Sequence, residues 1–588
     1  MTAPEDAASV DLAASDVAWD IDTIIPDGQT TDDLYARADA LATGLEGLRG
    51  TVATLDAGGL AAAMTTIGEI EDLLARAYNH AMLAFTTATG DPARGAAVAK
   101  AEERSTEIRT KLIFFELEWA AADDAHVESV LADPRLSFCD HHLATQRLMR
   151  SHLLSEPVET VLAEQQQTGS GAWARLFDEL SSGIEPVLPE AMGGKVPLML
   201  ALSHLGHGDR EVRRTAADAV TDALQPGLRT RAYVFNTLLL DKSMSDRRRN
   251  FPSWISSATS PTRRPTTRCR RSSTPWWAST RSPNGGIGSG RDPRGGSGRR
   301  LRPDGVGGRQ RAGVRLGRGD PDRARRLPVV LARVGLGCRS TLVEGWIDAP
   351  LRPGRRGGAF ATPVTPTHHP YVFLNWTSKA RDVATLAHEL GHGLHFLLAK
   401  EQSIFHMTTP LTLAETASVF GETVTSGRLL AELDDPEERF SFLAAMLEDS
   451  IATVFRQVAM NRFEDSVHTA RRTEGELSVD RFGDLWAESQ TAMLGDAVEI
   501  TEGYRSWWSY IPHFIHTPGY VYAYAYGQLL ALSVYARYEA EGEAFVPAYL
   551  DLLRAGGSRS PEELVGSWAA TWPIRRSGNR GWRSSRAS

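Results

Sequence analysis

Between residues 17 and 125 apolar side chains return every three or four positions. Ile67, Ile70, Leu74, Ala77, Ala81 and Phe85 form one such stripe, the spacing of a single helix face. A second helical run covers about 94–121 and ends in LIFFELEW. Asp133 and Pro134 interrupt the next segment, because a residue before proline is pushed out of the helical region. Helices are predicted again over about 153–167 and 171–182, punctuated by Thr168, Gly169, Ser170 and Gly171. Residues 208–245 read as helices too, VRRTAADAVTDAL being the clearest stretch, and no internal repeat is visible.

From about residue 257 both periods vanish. The stretch is Arg, Gly, Pro, Ser and Thr, with Trp276 and Trp277 lacking any apolar context. By composition it should not fold. An Arg/Gly-rich RNA-binding segment is one reading and a genuine linker another. A GC-rich gene read in a shifted frame gives the same mix, and we read 257–341 and the tail after 572, PIRRSGNRGWRSSRAS, as out of frame. Residues 261–340 hold 20 Arg and 4 Asp and neither Lys nor Glu. Of 64 basic and 73 acidic residues in the chain, the rest therefore carries 44 and 69. That strongly acidic remainder argues against nucleic acid as a partner.

Patterning returns near Leu342. YVFLNWT, 371–377, reads as a strand, and RDVATLAHELGHGLHFLLAK as a helix with Asp382 near its positive end. Within it lies HELGH. His388 and His392 are four apart and so share a helix face, where they can hold one metal ion together. Glu389, one step round, can reach a metal-activated water as general base. Two imidazoles plus a carboxylate suit zinc, which lowers the pKa of a coordinated water towards about 7. Gly391 and Gly393 weaken a helix by about 1 kcal/mol each relative to Ala. Both are expected where another backbone or a substrate comes close.

The third ligand is sought in TPLTLAETASVFGETVTSGRLLAEL, a predicted helix with Thr412 as N-cap. Glu415 and Glu422 are seven apart on one face; one could bind the metal and the other orient a ligand histidine. Further on, IPHFIHTPGYVYAYAYGQLL, 511–530, carries His513 and His516, then Tyr520, Tyr522, Tyr524 and Tyr526. Alone this run reads as an aromatic core stripe, with an alternation that mimics a strand. Histidine and tyrosine are also the donors an oxyanion needs.

Taken together, these residues resemble the oligoendopeptidase F branch of the thimet oligopeptidase-like metallopeptidases. That family's HExGHxxH pattern is met by His388, Glu389, Gly391, His392 and His395, and the 22 residues separating His392 from Glu415 also fit. The resemblance implies one zinc ion per chain on His388, His392 and Glu415, with Glu389 as base. It implies that His513 or His516, with one or more of Tyr520, Tyr522 and Tyr524, contacts substrate or transition state. Glu422 is then the residue behind a ligand histidine. GGAFATPV is similar to the family's substrate-binding edge, and 131–183 to its N-terminal lobe. The implied fold is mainly α: a two-lobed helical body around a deep cleft, with a small β element beside the HExxH helix. Its lobes would be residues 1–190 and a catalytic domain over 191–572, interrupted at 257–341 and followed by an aberrant tail, 573–588. The implied activity is hydrolysis of internal bonds in short peptides. A dead or partly folded peptide-binding remnant and an exopeptidase remain as alternatives.

The rest of the composition agrees. Hydrophobic residues at 42% and charged residues at 23% are ordinary for a globular protein. No apolar run approaches the roughly 18 residues of a membrane span. The acidic N-terminus lacks the pattern of a secretory signal. Cys139, Cys269 and Cys338 form no CxxC pair. A cytoplasmic protein is expected; its oligomeric state is not legible.

Overall fold

The computed structural model describes residues 17–256 and 345–564, apart from 351, 353, 357 and 377–379. The expectation of an out-of-frame stretch and tail falls outside these residues. The architecture is mainly α, with one small sheet.

The first two N-terminal helices have starts written into the sequence. Thr30 opens Thr31–Leu45 with a capping box to Asp33, and Asp56 caps the long helix Ala57–Thr87. The expected stripe on that helix is buried from Ile67 to Ala81, with Phe85 half-buried. The expected run 94–121 is two helices, Pro92–Thr110 and Ile113–Ala121. The break at Lys111 and Leu112 turns Phe114, Phe115 and Trp119 into the core. Asp133 and Pro134 start a single 3-10 turn. Helices Glu156–Thr168 and Ser170–Ser182 meet at Gly169, where a Cβ would lie 2.8 Å from the Gln165 carbonyl oxygen. Helices Arg210–Leu224 and Leu228–Arg248 come next.

A second core joins the parts of the chain on either side of 257–344. Phe235 on Leu228–Arg248 stacks on Phe482 and Phe514, and Phe463 packs on Trp486 and Phe514. These aromatics come from Gln457–Thr473, Val479–Leu494 and the segment around 513.

Strands β1 (Ile347–Asp348), β2 (Phe360–Thr362) and β3 (Tyr371–Phe373) lie in the order β1-β3-β2. β1 runs parallel to β3 and β2 antiparallel. Of the predicted strand 371–377, residues 371–373 are regular and 374–376 are not. The N-terminal end of the described chain is stitched to this sheet. Ala349 N–H donates to Val17 O at 3.0 Å, and the Trp19 indole donates to Trp346 O and Val372 O, each at 3.1 Å. The HExxH helix, Ala380–Ala399, lies on the sheet through Val383, Leu386 and Leu390. Among the described residues no helix is long and apolar enough to cross a membrane.

Candidate metal centre

Three helices meet at the site, and glycine sets each approach. The HExxH helix crosses Leu411–Glu432 at Gly391, where a Cβ would stand 2.5 Å from the Ala417 carbonyl oxygen and 2.6 Å from Ser418 Cα. Gly421 answers from the other helix, where a Cβ would lie 3.0 Å from Ala387 O. The helix Tyr522–Glu541 arrives at Gly527, whose Cβ would lie 2.6 Å from Glu415 Cβ. Gly393 meets nothing nearer than Val372 Cγ2 at 3.9 Å. The expected close approach of another backbone therefore exists at Gly391, while at Gly393 only side-chain atoms stand near, in ordinary contact. Thr412 is not the N-cap: Leu411–Glu432 starts after Pro410, which fixes the entry by its locked φ.

That crossing brings His388, His392 and Glu415 together, with one ligand atom from each inside a 4.8 Å group. Glu415 Oε2 lies 3.3 Å from His388 Nε2 and 3.5 Å from His392 Nε2. Glu422 Oε2 is 3.2 Å from the far nitrogen of His388, Nδ1. It thereby fixes which nitrogen faces Glu415. Burial works against a charged His388, but Glu415 and Glu422 outweigh it and push its pKa up to about 10. Burial likewise opposes ionisation of Glu415, yet the two histidines hold it well below the usual carboxylate range. The protein side of this centre is an acidic pocket built for positive charge.

Glu389 sits beside the pair and is buried. Burial raises its pKa, while the histidines and the Ala361 N–H on β2 pull the other way. His395 points elsewhere. It is buried, its Nε2 lies 3.1 Å from Thr409 Oγ1, and burial lowers its pKa to about 3. It is a neutral strut between the two helices.

The tyrosine run is helical from Tyr522 onward. His513 Nε2 lies 3.3 Å from the Tyr524 hydroxyl, and the His513 and Tyr520 rings are near-parallel at 6.0 Å. Tyr520 and Tyr524 meet edge to face at 4.9 Å. Burial lowers the pKa of His513. His516 is set apart: its Nε2 is 2.7 Å from Asp178 Oδ1 on Ser170–Ser182. Tyr522 is buried at the start of its helix. The structure thus groups His513, Tyr520 and Tyr524, and ties His516 to another element. Asp178 and Ala361 were not singled out by the sequence. Only contacts across long sequence separations reveal them.

A helix-borne histidine pair crossed by a carboxylate helix, beside a small sheet in a helical body, defines a metallopeptidase fold. The family model for peptidase family M3 matches residues 333–577, and that for oligopeptidase F matches 118–185. The first runs past the bounds set by composition, covering 333–341 and 573–577 as well. Oligopeptidase PepF of Bacillus subtilis (strain 168) is 32% identical over 240 residues, 40% of this chain and 36% of the relative. The chromosomal oligoendopeptidase F of Lactococcus lactis subsp. cremoris is 32% identical over 224 residues, 38% and 37% of the two chains. The matching stretch thus spans little more than a third of these relatives' length. In overall fold the chain is similar to oligoendopeptidase-F from Enterococcus faecium, with TM-score 0.61, 19% identity and 91% and 92% coverage. It is also similar to PZ peptidase A, with TM-score 0.65, 14% identity and 93% and 94% coverage. The chain belongs to peptidase family M3.

Proposed function

We propose that this protein is a zinc-dependent endopeptidase acting on internal bonds of short peptides, as the names of its relatives, oligopeptidase and oligoendopeptidase, suggest. The observation that carries the reading is the convergence of His388, His392 and Glu415 with the buried Glu389 on the same helix. Two imidazoles and one carboxylate fit zinc and leave a coordination position open. When bound, zinc supplies Lewis acidity to a substrate carbonyl and to water.

The chain's own residues do the rest. Glu389 takes the proton of the attacking water on its carboxylate and returns it to the leaving amine nitrogen. Burial, which raises its pKa, brings it nearer the neutral range where one group can serve as base and then acid. Ala361 N–H keeps that carboxylate turned towards β2. Glu422 orients His388. His513 and Tyr524 offer donors to the developing oxyanion, and His516 anchors the segment to Asp178. The cytoplasm is the proposed place of action, in keeping with the free thiol of Cys139.

The test is Glu389→Gln, compared with wild type on blocked and free-ended peptides. Retained zinc with hydrolysis lost supports the mechanism; undiminished turnover refutes it. Cleavage of free-ended peptides alone would make the enzyme an exopeptidase. A second reading, a peptide-binding remnant, is favoured by the composition of 257–341, and a zinc-loaded wild type that binds peptides without cutting them would establish it.

A further inference from the structure

Helix Gln457–Thr473 has two faces. Met460, Phe463, Val467 and Ala470 enter the aromatic core. Gln457, Asn461, Glu464 and His468 recur at steps of four, three and four, a single stripe. Asn461, Glu464 and His468 are at most 2% exposed. A polar stripe at buried positions is costly unless each group has a task.

One of those tasks is visible. Glu464 Oε1 accepts the backbone N–H of Gly519 at 2.7 Å, in a buried bond between residues 55 apart. Gly519 has φ +75°, a left-handed conformation suited to glycine. It is the last residue before Tyr520, and Tyr520 O then accepts the Ala523 N–H as the tyrosine helix begins. This turn leads into the Tyr520–Tyr524–His513 group and, at Gly527, the contact with Glu415.

We propose that Glu464 is a positioning residue: it clamps the Gly519 turn and so holds in place the His513 and Tyr524 donors and the helix that meets Glu415 at Gly527. This rests on the functional reading above for its consequence and on the hydrogen bond alone for its structural part. A carboxylate accepting a buried backbone N–H has strict geometry and no entropy left to lose. Displacing the turn by about 1 Å is enough to cost on the order of 100-fold in rate.

The test uses the full chain with Glu464→Met, which keeps the volume and removes the acceptor, and Glu464→Gln, which keeps an acceptor. Hydrogen exchange over 513–527 reads the clamp without need of activity. Peptide hydrolysis with zinc reads its consequence. We expect E464M to exchange faster over 513–527 and nowhere else. Its kcat should fall at least tenfold, with zinc content and KM near wild type, and E464Q should restore both readouts. Gly519→Ala, strained at this φ, should reproduce E464M by a different route. Unchanged exchange in E464M, or a loosened turn with kcat intact in both E464M and G519A, would overturn the proposal. A wild type inert towards peptides would sink the functional reading instead. The exchange data would then still decide whether Glu464 holds the turn.

Discussion

Adding one methyl group at Gly391 should damage this protein, and adding it two residues later should not. At Gly391 the new Cβ would lie 2.5 Å from Ala417 O, 2.6 Å from Ser418 Cα and 2.8 Å from Ala417 C. All three are backbone atoms of the facing helix, so no side chain can swing aside. Carbon contacts relax near about 3.5 Å, so the two helices must part by roughly 0.7–1 Å. Overpacking of this kind costs about 1–3 kcal/mol, and the better helix propensity of Ala returns only about 1 kcal/mol. The larger effect falls on the centre. Glu415 precedes Ser418 by one turn and moves with it, away from His388 and His392, which now stand 3.3 and 3.5 Å off. Zinc affinity should drop at least tenfold. At Gly393 the nearest atoms are at 3.9 and 4.0 Å, ordinary contact, so Ala there should stabilise the helix by about 1 kcal/mol. Urea unfolding of the zinc-free proteins reads the first quantity, and competition with a chelator the second. Wild-type zinc affinity and an unshifted urea midpoint in G391A would refute the argument. So would equal damage in G393A.

Four further substitutions have expected outcomes. Glu422→Gln should weaken zinc binding about 10–100-fold through His388, checked by chelator competition; unchanged affinity would remove Glu422 from the centre. His513→Ala should lower kcat by about 100–1,000-fold, whereas His516→Ala should cost about 1 kcal/mol through its half-exposed partner Asp178 and leave kcat within a few-fold. The reverse pattern would exchange their roles. Burial lowers the pKa of His368 from 6.5 to about 4. The unfolded chain therefore binds the proton first, and stability is lost as pH falls from about 6.5 towards 4. Urea midpoints at pH 7 and pH 5 should differ less in His368→Gln than in wild type; equal differences would show that His368 stays exposed.

Of the candidate metal centre, the histidine pair was legible because its signal is local, whereas the sequence left Glu415 and Glu422 as rivals for the third position. His388 and His392 are one helical turn apart, and that spacing alone puts both imidazoles on one face. Gly391 could be read too, since two glycines in an otherwise apolar helix call for a close neighbour. Which of the two met it depended on a crossing point that no local pattern encodes. The tyrosine alternation suggested a strand, but Gly527 against Glu415 needs a helix, and that packing overrides the pattern. Likewise Thr412 looked like a cap, yet Pro410 sets where that helix begins. The two histidines of 513–516 were indistinguishable until Asp178 appeared beside one of them, 338 residues away. Glu464 gave no sign at all, because a buried carboxylate and a solvated one look the same in sequence.

The seam between the beginning of the chain and the sheet has a consequence for how the molecule is put together. Val17 and Trp19 bond to residues more than 320 positions downstream, and Phe235 shares its core with Phe482 and Phe514. The halves on either side of 257–344 are therefore one folding unit, and closing so long a loop is slow. Two fragments, one ending at 256 and one beginning at 345, should therefore hold to each other, like the two halves of a clasp. Neither fragment expressed alone would bury its share of the aromatic core, but the two supplied together could complement each other and rebuild the metal centre, which lies wholly within the second.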